Sequence, residues 1–381
     1  MADNWLPLRY GINPHQTPAR VFAENGLPFE VRNGAPGYVN LLDALNGWQL
    51  VRELRGVTGL PAAASFKHVS PAGAAIGLPL SDALRRAYFV GERGELSPLA
   101  NAFARARGAD RVCSYGDWVA LSDPVDLPTA RLLRREVSDG VIAPGFEPAA
   151  FEVLKAKRGG RYTMLQIDPS FEPPAMETRQ VFGVTFEQRR NDVVPSGALL
   201  ERIVTLRHDL SDAARRDMLV GLITIKYTQS NSVCLVVDGQ VIGNGAGQQS
   251  RIHCTRLAAD KADIWQLRQH PRVLGLVFRA GLDRVDRDNA IDQFLRNDLT
   301  EAEEEVWRGC FPSDVPQRLT AEERREWLAR VRGVTLVSDA FIPFRDNVDR
   351  AQASGVEFIV QPGGAQREAD IVAACDQYGM V

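Results

Sequence analysis

The chain has 381 residues, 45% of them hydrophobic and 24% charged, with a formal net charge of −3. That is ordinary globular composition, long enough for two or three domains with ample core, and the near-neutral balance offers no bulk field for nucleic acid or an anionic membrane. Cys113, Cys234, Cys254, Cys310 and Cys375 make neither a disulfide framework nor a zinc pattern, the first residues lack a basic then apolar leader, and nowhere do eighteen apolar residues run together; a reduced, cytoplasmic protein with no membrane span is expected.

In chain order, the first dense polar stretch is Arg9-Tyr10-Gly11-Ile12-Asn13-Pro14-His15-Gln16. Arg offers a planar fork matched to phosphate, Tyr a flat face with a hydroxyl, and Asn-Pro a turn; the alternative is a structured N-terminal arm. Next comes Lys67-His68, after Ser65-Phe66 and before Val69-Ser70-Pro71-Ala72-Gly73. His takes and returns a proton near neutral pH, and Lys67 beside it can hold developing negative charge. Adjacent strand side chains point to opposite faces, so both reach one ligand only if the backbone turns here, and Pro71 and Gly73 suggest that turn. The alternative is a His that caps a strand end.

Tyr115-Gly116-Asp117 and Val137-Ser138-Asp139 fall at expected strand ends, where α/β proteins gather ligand contacts, although an Asp beside a turn is often only a cap. A helix is expected over 129–136, and a strand ending in Gln over Tyr162 to Gln166.

After the apolar run Leu219 to Ile225, residues 226 to 258 concentrate glycines and hydrogen-bonding side chains. Val233 to Val237, Asp238-Gly239 and Gln240 to Ile242 predict a hairpin with a two-residue turn. Gly243, Gly245 and Gly247 then bring backbone N–H groups forward, and Gln248-Gln249-Ser250-Arg251 opens an expected helix, a setting that suits an anionic, planar ligand. The alternative is a surface hairpin with a polar tip. Farther on, Thr320 and Glu323 form a capping box, with Gly333 as the expected helix stop. Asp339-Ala340-Phe341-Ile342-Pro343-Phe344-Arg345-Asp346 offers two rings and two carboxylates to a heterocycle, or two core phenylalanines. Glu368 to Tyr378 reads as a helix stopped by Gly379, and Met380-Val381 as the beginning of one more strand.

Alternating strand and helix patterns indicate an α/β architecture with a largely parallel sheet. Three internal echoes suggest two homologous domains, 1–175 and 176–381, the second enlarged by a charged helical insertion at about 262–330. They pair Val137-Ser138-Asp139 with Val337-Ser338-Asp339, Tyr162 to Gln166 with Phe358 to Gln361, and Ser65 to Ser70 with Thr224 to Gln229. No Gly-x-Gly-x-x-Gly, P-loop or zinc-deaminase pattern is present, so neither a dinucleotide, a nucleoside triphosphate nor zinc is expected.

The strings Leu8 to Gln16, Ser65 to Gly73, Arg105 to Arg111, Arg135 to Gly140, Lys226 to Ser232, Gly245 to Ile252 and Ser338 to Phe341 resemble, in order and over nearly the whole length, the transformylase part of the bifunctional AICAR transformylase/IMP cyclohydrolase family. The resemblance implies two cytidine-deaminase-like α/β domains and a homodimer with active sites at its interface. It also implies transfer of formyl from 10-formyltetrahydrofolate to the 5-amino group of AICAR. On matched positions it makes His68 the proton acceptor and Lys67 the stabiliser of the transition state and leaving nitrogen, with Asn231 near the reacting amine. It sets Arg9, Tyr10, Gly116, Asp139, Arg251 and Phe341 on the nucleotide, and Ile252, Asp346, Ala365 and Gln366 on the folate. A structural potassium ion near Thr228, Ser230 and Asp339 is permitted. The family's cyclohydrolase domain has no counterpart here, so IMP formation is not expected. A last strand with a Thr-x-x-Arg-x-Phe pattern is also missing after Val381, and one lost phosphate contact is expected to cost about 1.5–3 kcal/mol. A second reading is a non-catalytic purine-nucleotide sensor that kept the pocket.

Overall fold

The computed structural model describes residues 4–91, 95–312 and 314–381. Residues 1–3, 92–94 and 313, which fall within the expected domains and insertion, lie outside the described residues.

An N-terminal arm forms a two-stranded antiparallel ribbon, β1 (Trp5–Leu8) and β2 (Ala19–Phe22). It leads through β3 (Phe29–Asn33) into α1 (Tyr38–Thr58), the hairpin β4 (Ala62–Lys67) and β5 (Ser70–Ile76), α2 (Asp82–Ala87) and α3 (Pro98–Gly108). Then come β6 (Asp117–Leu121), α4 (Leu127–Arg134), β7 (Ser138–Ala143), α5 (Pro148–Lys155) and β8 (Thr163–Ile167). A separate hairpin, β9 (Met176–Val181) and β10 (Val184–Arg189), precedes α6 (Asp212–Lys226). The hairpin β11 (Val233–Val237) and β12 (Gln240–Gly245) follows, then α7 (Arg251–Leu267). Four helices come next: α8 (Pro271–Leu274), α9 (Arg284–Leu295), α10 (Glu301–Arg308) and α11 (Ala321–Leu328). The chain closes with β13 (Val334–Ser338), α12 (Asp346–Ala353), β14 (Val356–Val360) and α13 (Glu368–Gln377).

Ten of these strands make one mixed sheet in the order β14-β13-β11-β12-β5-β4-β6-β7-β8-β3, and six of its nine pairings are antiparallel, against the largely parallel sheet expected. Its pairing repeats about the β12–β5 junction. On one side β5–β4 and β4–β6 are antiparallel and β6–β7 parallel; on the other β12–β11 and β11–β13 are antiparallel and β13–β14 parallel. The central strands are buried on both faces and read as near-continuous apolar runs. Alternate side chains serve two layers: Ala62, Ala64 and Phe66 pack with α1 and with Val220 and Ile223 of α6. Ala63 and Ala75 pack with Leu99, Ala102 and Phe103 of α3, and Val233, Leu235 and Ile242 with Ala258 and Ala262 of α7. Gly73 and Gly243, each fourth in its strand, permit the close helix approach: a Cβ would meet the carbonyl of Ala106 at 2.2 Å or of Ala258 at 2.1 Å.

The strand pairing repeats, but the sequence echoes do not coincide with it and are displaced by one element. Ser138 begins β7, whose counterpart is β14, whereas Ser338 ends β13, the counterpart of β6. Likewise Tyr162 to Gln166 overlaps β8 while Phe358 to Gln361 overlaps the end of β14, and Lys67 ends strand β4 while Lys226 ends helix α6. The run Leu219 to Ile225 is thus helical. An apolar run followed by a polar turn looks the same in each buried strand, so pattern alone does not fix which strand is equivalent.

Helix boundaries follow local chemistry. Ser97, Asp126 and Ser211 accept from backbone N–H groups at the starts of α3, α4 and α6, and Thr320 with Glu323 completes the expected capping box of α11. Gly333 is not the stop of α11, which ends at Leu328 with Ala329 as its cap; Gly333 instead turns the chain into β13 at φ 72°. Val381 runs beside β14, its N–H donating to Glu357 O and its carbonyl accepting from Ile359 N, each at 2.9 Å.

Candidate functional site

The pairing directions decide which expected residues meet. The end of β4 and the starts of β5, β6 and β7 lie at one end of the sheet's strands. Because β12 runs antiparallel to β5, the end of β12, the start of β11 and the ends of β13 and β14 lie at that same end. Lys67 at the end of β4, Asp139 at the start of β7, His68, Gly116, Asn231 and Phe341 in loops, and Arg251 at the start of α7 therefore all lie at one rim.

The first cluster is the β4–β5 turn. Its central residues are His68 and Val69, at φ 52° and 66°, and Lys67 pairs with Ser70 across it. The chain thus turns two residues before Pro71, and Pro71 and Gly73 lie inside β5. Both positive φ values match a type I′ hairpin turn; histidine enters the left-handed region more readily than most residues, but the β-branched Val69 is ill suited to it. The Val69 N–H donates to Asp43 Oδ1 at 2.6 Å from the buried face of α1. Burial pushes the Asp43 carboxyl up to about 6, while the Val69 N–H and the His68 side chain pull it down. His68 is exposed, and Lys67 Nζ donates to the carbonyl of Tyr115 in the loop before β6.

A charged network lies beneath that loop. Arg107 reaches Asp117 at 2.5 Å, Glu136 at 3.1 Å and the carbonyl of Val137 at 3.0 Å, and Ser65 Oγ donates to Asp117 at 2.7 Å. Glu136 also takes Arg111 at 3.3 Å and Arg284 of α9 at 2.7 Å. Burial pushes Glu136 up, but Arg111, Arg107 and Arg284 outweigh it and hold the carboxyl down at about 2. Asp139 is half-exposed and paired with Arg158 at 2.9 Å.

The second cluster surrounds Arg251, the first residue of α7. Its Nη2 donates to Asn231 Oδ1 at 2.7 Å, and its Nη1 donates to Ser232 O at 2.8 Å and to the carboxylate of Asp339. Asp339 also accepts from Ser232 N at 3.0 Å. Burial raises the Asp339 carboxyl, but Ser230, the Ser232 N–H and Arg251 together lower it. Asn231 Nδ2 donates to Gln248 O at 2.7 Å, leaving one N–H and one lone pair of its carboxamide for another group. Arg251 Nε, Ser232 Oγ and Asn244 Oδ1 are buried without partners. Two bonds tie this cluster to the first: Gln229 N to Ser70 Oγ at 3.3 Å and Asn244 Nδ2 to Pro71 O at 2.7 Å.

The profile of the AICARFT/IMPCHase bienzyme family matches residues 2–261. The chain belongs to this family. It is similar to the bifunctional purine biosynthesis protein PurH of Cereibacter sphaeroides, 29% identical over 378 residues, and to that of Roseobacter denitrificans, 30% identical over 380 residues. In each case the match covers 98% of this chain and 57% of the relative, so the chain spans a little over half the length of these proteins.

The other residues expected from the family resemblance are more scattered. Arg9 and Tyr10 follow β1, with the guanidinium over the Tyr10 ring at 5.8 Å, and their described contacts stay within the arm. Phe341 and Phe344 are 46% and 54% exposed, so neither is a core residue. Ile252 lies in the first turn of α7 and Asp346 opens α12, where its carboxylate accepts from Asn347 Nδ2 at 2.9 Å. Ala365 is buried and Gln366 exposed in the loop after β14. The sequence reading missed Asp43, Ser232 and Asn244. An acid inside the apolar string Leu41-Leu42-Asp43-Ala44-Leu45 was the available signal for the first. A cavity of about 340 Å³ lies between Leu200, Ile203, Met218, Ile371 and Val381, and its lining reaches Gln361, Pro362 and Gly363 just after β14. Among the described residues no helix is long and apolar enough to cross a membrane, and no group of three or more His, Cys, Asp or Glu is arranged to hold a metal ion.

Proposed function

We propose that this protein transfers the formyl group of 10-formyltetrahydrofolate to the 5-amino group of AICAR, forming FAICAR and tetrahydrofolate in purine biosynthesis. The observation that carries this reading is the meeting of the Lys67-His68 turn and the Asn231 loop at one rim, joined through Ser70–Gln229 and Pro71–Asn244. The amine of AICAR is a weak nucleophile because its lone pair is delocalised into the ring and carboxamide. As it attacks the formyl carbon, the C–N bond to the folate breaks. His68 takes the amine proton, and Lys67 stabilises the developing charge and supplies a proton to the leaving nitrogen. A positioned base contributes about 10²–10⁴ in rate, and one aimed charge donor about 10²–10³.

Asn231 orients the amine through its unspent N–H or lone pair. Arg251 fixes Asn231 and Asp339, and its Nε–H and the second Nη2–H are the donors not spent on the hydrogen bonds described. Arg9, Tyr10, Gly116, Asp139 and Phe341 complete the nucleotide side; Ile252, Asp346, Ala365 and Gln366 take the folate. A structural potassium ion would take oxygens of Thr228, Ser230 and Asp339, in competition with the Arg251 guanidinium that already pairs with Asp339. The repeated strand order supports two cytidine-deaminase-like units, 1–175 and 176–381. A homodimer is supported by β9–β10, whose Val181, Phe182, Val184 and Phe186 are all exposed.

The test is conversion of AICAR and 10-formyltetrahydrofolate by the purified chain, with AICAR binding followed by calorimetry. Formation of FAICAR and tetrahydrofolate in equal amounts is expected. Binding without turnover would remove the catalytic reading, and absence of both would remove the nucleotide site as well.

A further inference from the structure

The two hairpins of the repeat end in the same turn. His68 and Val69 stand at φ 52° and 66°, and Asp238 and Gly239 at 49° and 69°. Both hairpins shift register at the same place, between Ser65 and Phe66 and between Leu235 and Val236. Both turns are also held by an acid from the preceding helix. Asp217 accepts from Asp238 N at 2.8 Å and Gly239 N at 2.7 Å, and Asp43 accepts from Val69 N at 2.6 Å. Asp43 and Asp217 are each the sixth residue of their helices, α1 and α6.

At Asp238-Gly239 the sequence already favours the turn, and the acid adds to a conformation that glycine takes freely. At His68-Val69 it does not. A β-branched residue at positive φ is a steric outlier, and left-handed conformations of non-glycine residues persist only when their surroundings impose them. Packing does not impose this one, because His68 and Val69 are both exposed. The fixed point next to these residues is the Asp43 carboxylate, 5% exposed and anchored in α1.

We propose that Asp43 is a positioning residue for formyl transfer: its carboxylate holds the His68–Val69 turn in the left-handed form that presents the His68 imidazole beside Lys67. This rests on the reading of His68 as the base. Misplacing a reacting group by about 1 Å costs about 100-fold in rate, which sets the size of the expected effect.

The experiment compares the unmodified chain with Asp43→Ala, Asp43→Asn and Asp43→Ala/Val69→Gly, measuring kcat, KM for AICAR and the Val69 amide proton shift by NMR, with the shift read in the variants that keep Val69. Asp43→Ala is expected to lower kcat about 100-fold with KM within about twofold. Asp43→Asn keeps an acceptor oxygen and should stay within about fivefold of the unmodified chain, while Val69→Gly, which takes positive φ without strain, should restore at least about tenfold to the Ala variant. Unchanged kcat in Asp43→Ala overturns the proposal, as does failure of both Asn and the added glycine to restore rate. If Asp43→Ala does not fold, the double variant decides: rate within about tenfold of the unmodified chain supports the proposal, and a rate as low as that of His68→Ala overturns it. Should the unmodified chain itself not turn over, the proposed function fails separately. The amide shift then judges the clamp: an upfield move of the Val69 proton in Asp43→Ala supports it, and an unmoved shift overturns it.

Discussion

The two hairpin tips share fold, turn and clamp, yet they sit at opposite ends of the sheet with different contents. At the Asp238-Gly239 tip Gly239 is buried against the other half of the sheet, while the Asp238 side chain stays exposed. Arg105 donates to Asp238 O at 3.1 Å and Oδ2 at 2.9 Å, Gly239 O accepts from Ile76 N at 3.0 Å, and a Cβ on Gly239 would meet Ile76 at 2.7 Å. The His68-Val69 tip is open, with an imidazole and a β-branched side chain in place of a favoured turn former. One copy of a repeated device is spent on joining the halves, and the other carries a conformation that its Val69 disfavours. Local departure from turn preference is where function is expected.

Replacing the open tip's chemistry should have the largest effect. His68→Ala is expected to reduce formyl transfer about 10²–10⁴-fold, equivalent to about 3–5 kcal/mol of barrier, with AICAR affinity by calorimetry nearly unchanged. Near-normal turnover would dissolve the contrast between the tips. At the Asp238-Gly239 tip, Gly239→Val adds an overpacked side chain and positive-φ strain, and should destabilise by roughly 3 kcal/mol in urea unfolding. A loss no greater than that of an exposed substitution would show the two tips to be equally tolerant.

Acid should act on the floor of the open rim. Glu136 titrates near 2 in the folded chain against an ordinary value of 4.5, so the unfolded chain binds the proton first as pH falls. Its contribution, on the order of 3 kcal/mol, is fully present above about 4.5 and lost as pH falls towards 2. Urea unfolding of Glu136→Gln should lose stability at pH 7 and show a flatter acid limb; equal pH slopes would remove Glu136 as the source. The smallest effect is a gain. Exchanging His68-Val69 for Asp-Gly should stabilise the chain by about 1–2 kcal/mol in urea unfolding while removing turnover. Stability lower than that of the unmodified chain would mean that the open turn is not strained.

Much of this was legible along the chain. The α/β class, the Asp238-Gly239 hairpin, the Thr320 capping box and α13 follow from short-range pattern. So do the polar residues of the rim, because strings such as Lys226 to Ser232 are dense in side chains that no core requires. What misled was also local: Pro71 and Gly73 signalled a turn but lie within a strand, and the echoes matched each segment to the element before its true counterpart.

By itself, then, the sequence determined the elements and the chemical groups available, since propensity, capping and turn chemistry act over a few residues. Tertiary structure alone decided which groups meet. Antiparallel pairing of β12 with β5 brings Asn231 and Arg251 to the rim of His68, about 160 or more residues away in sequence, and the burial of Asp43 in α1 makes a turn at His68-Val69 tenable. Strand direction and a distant carboxylate are long-range facts, and no window of neighbouring residues contains them.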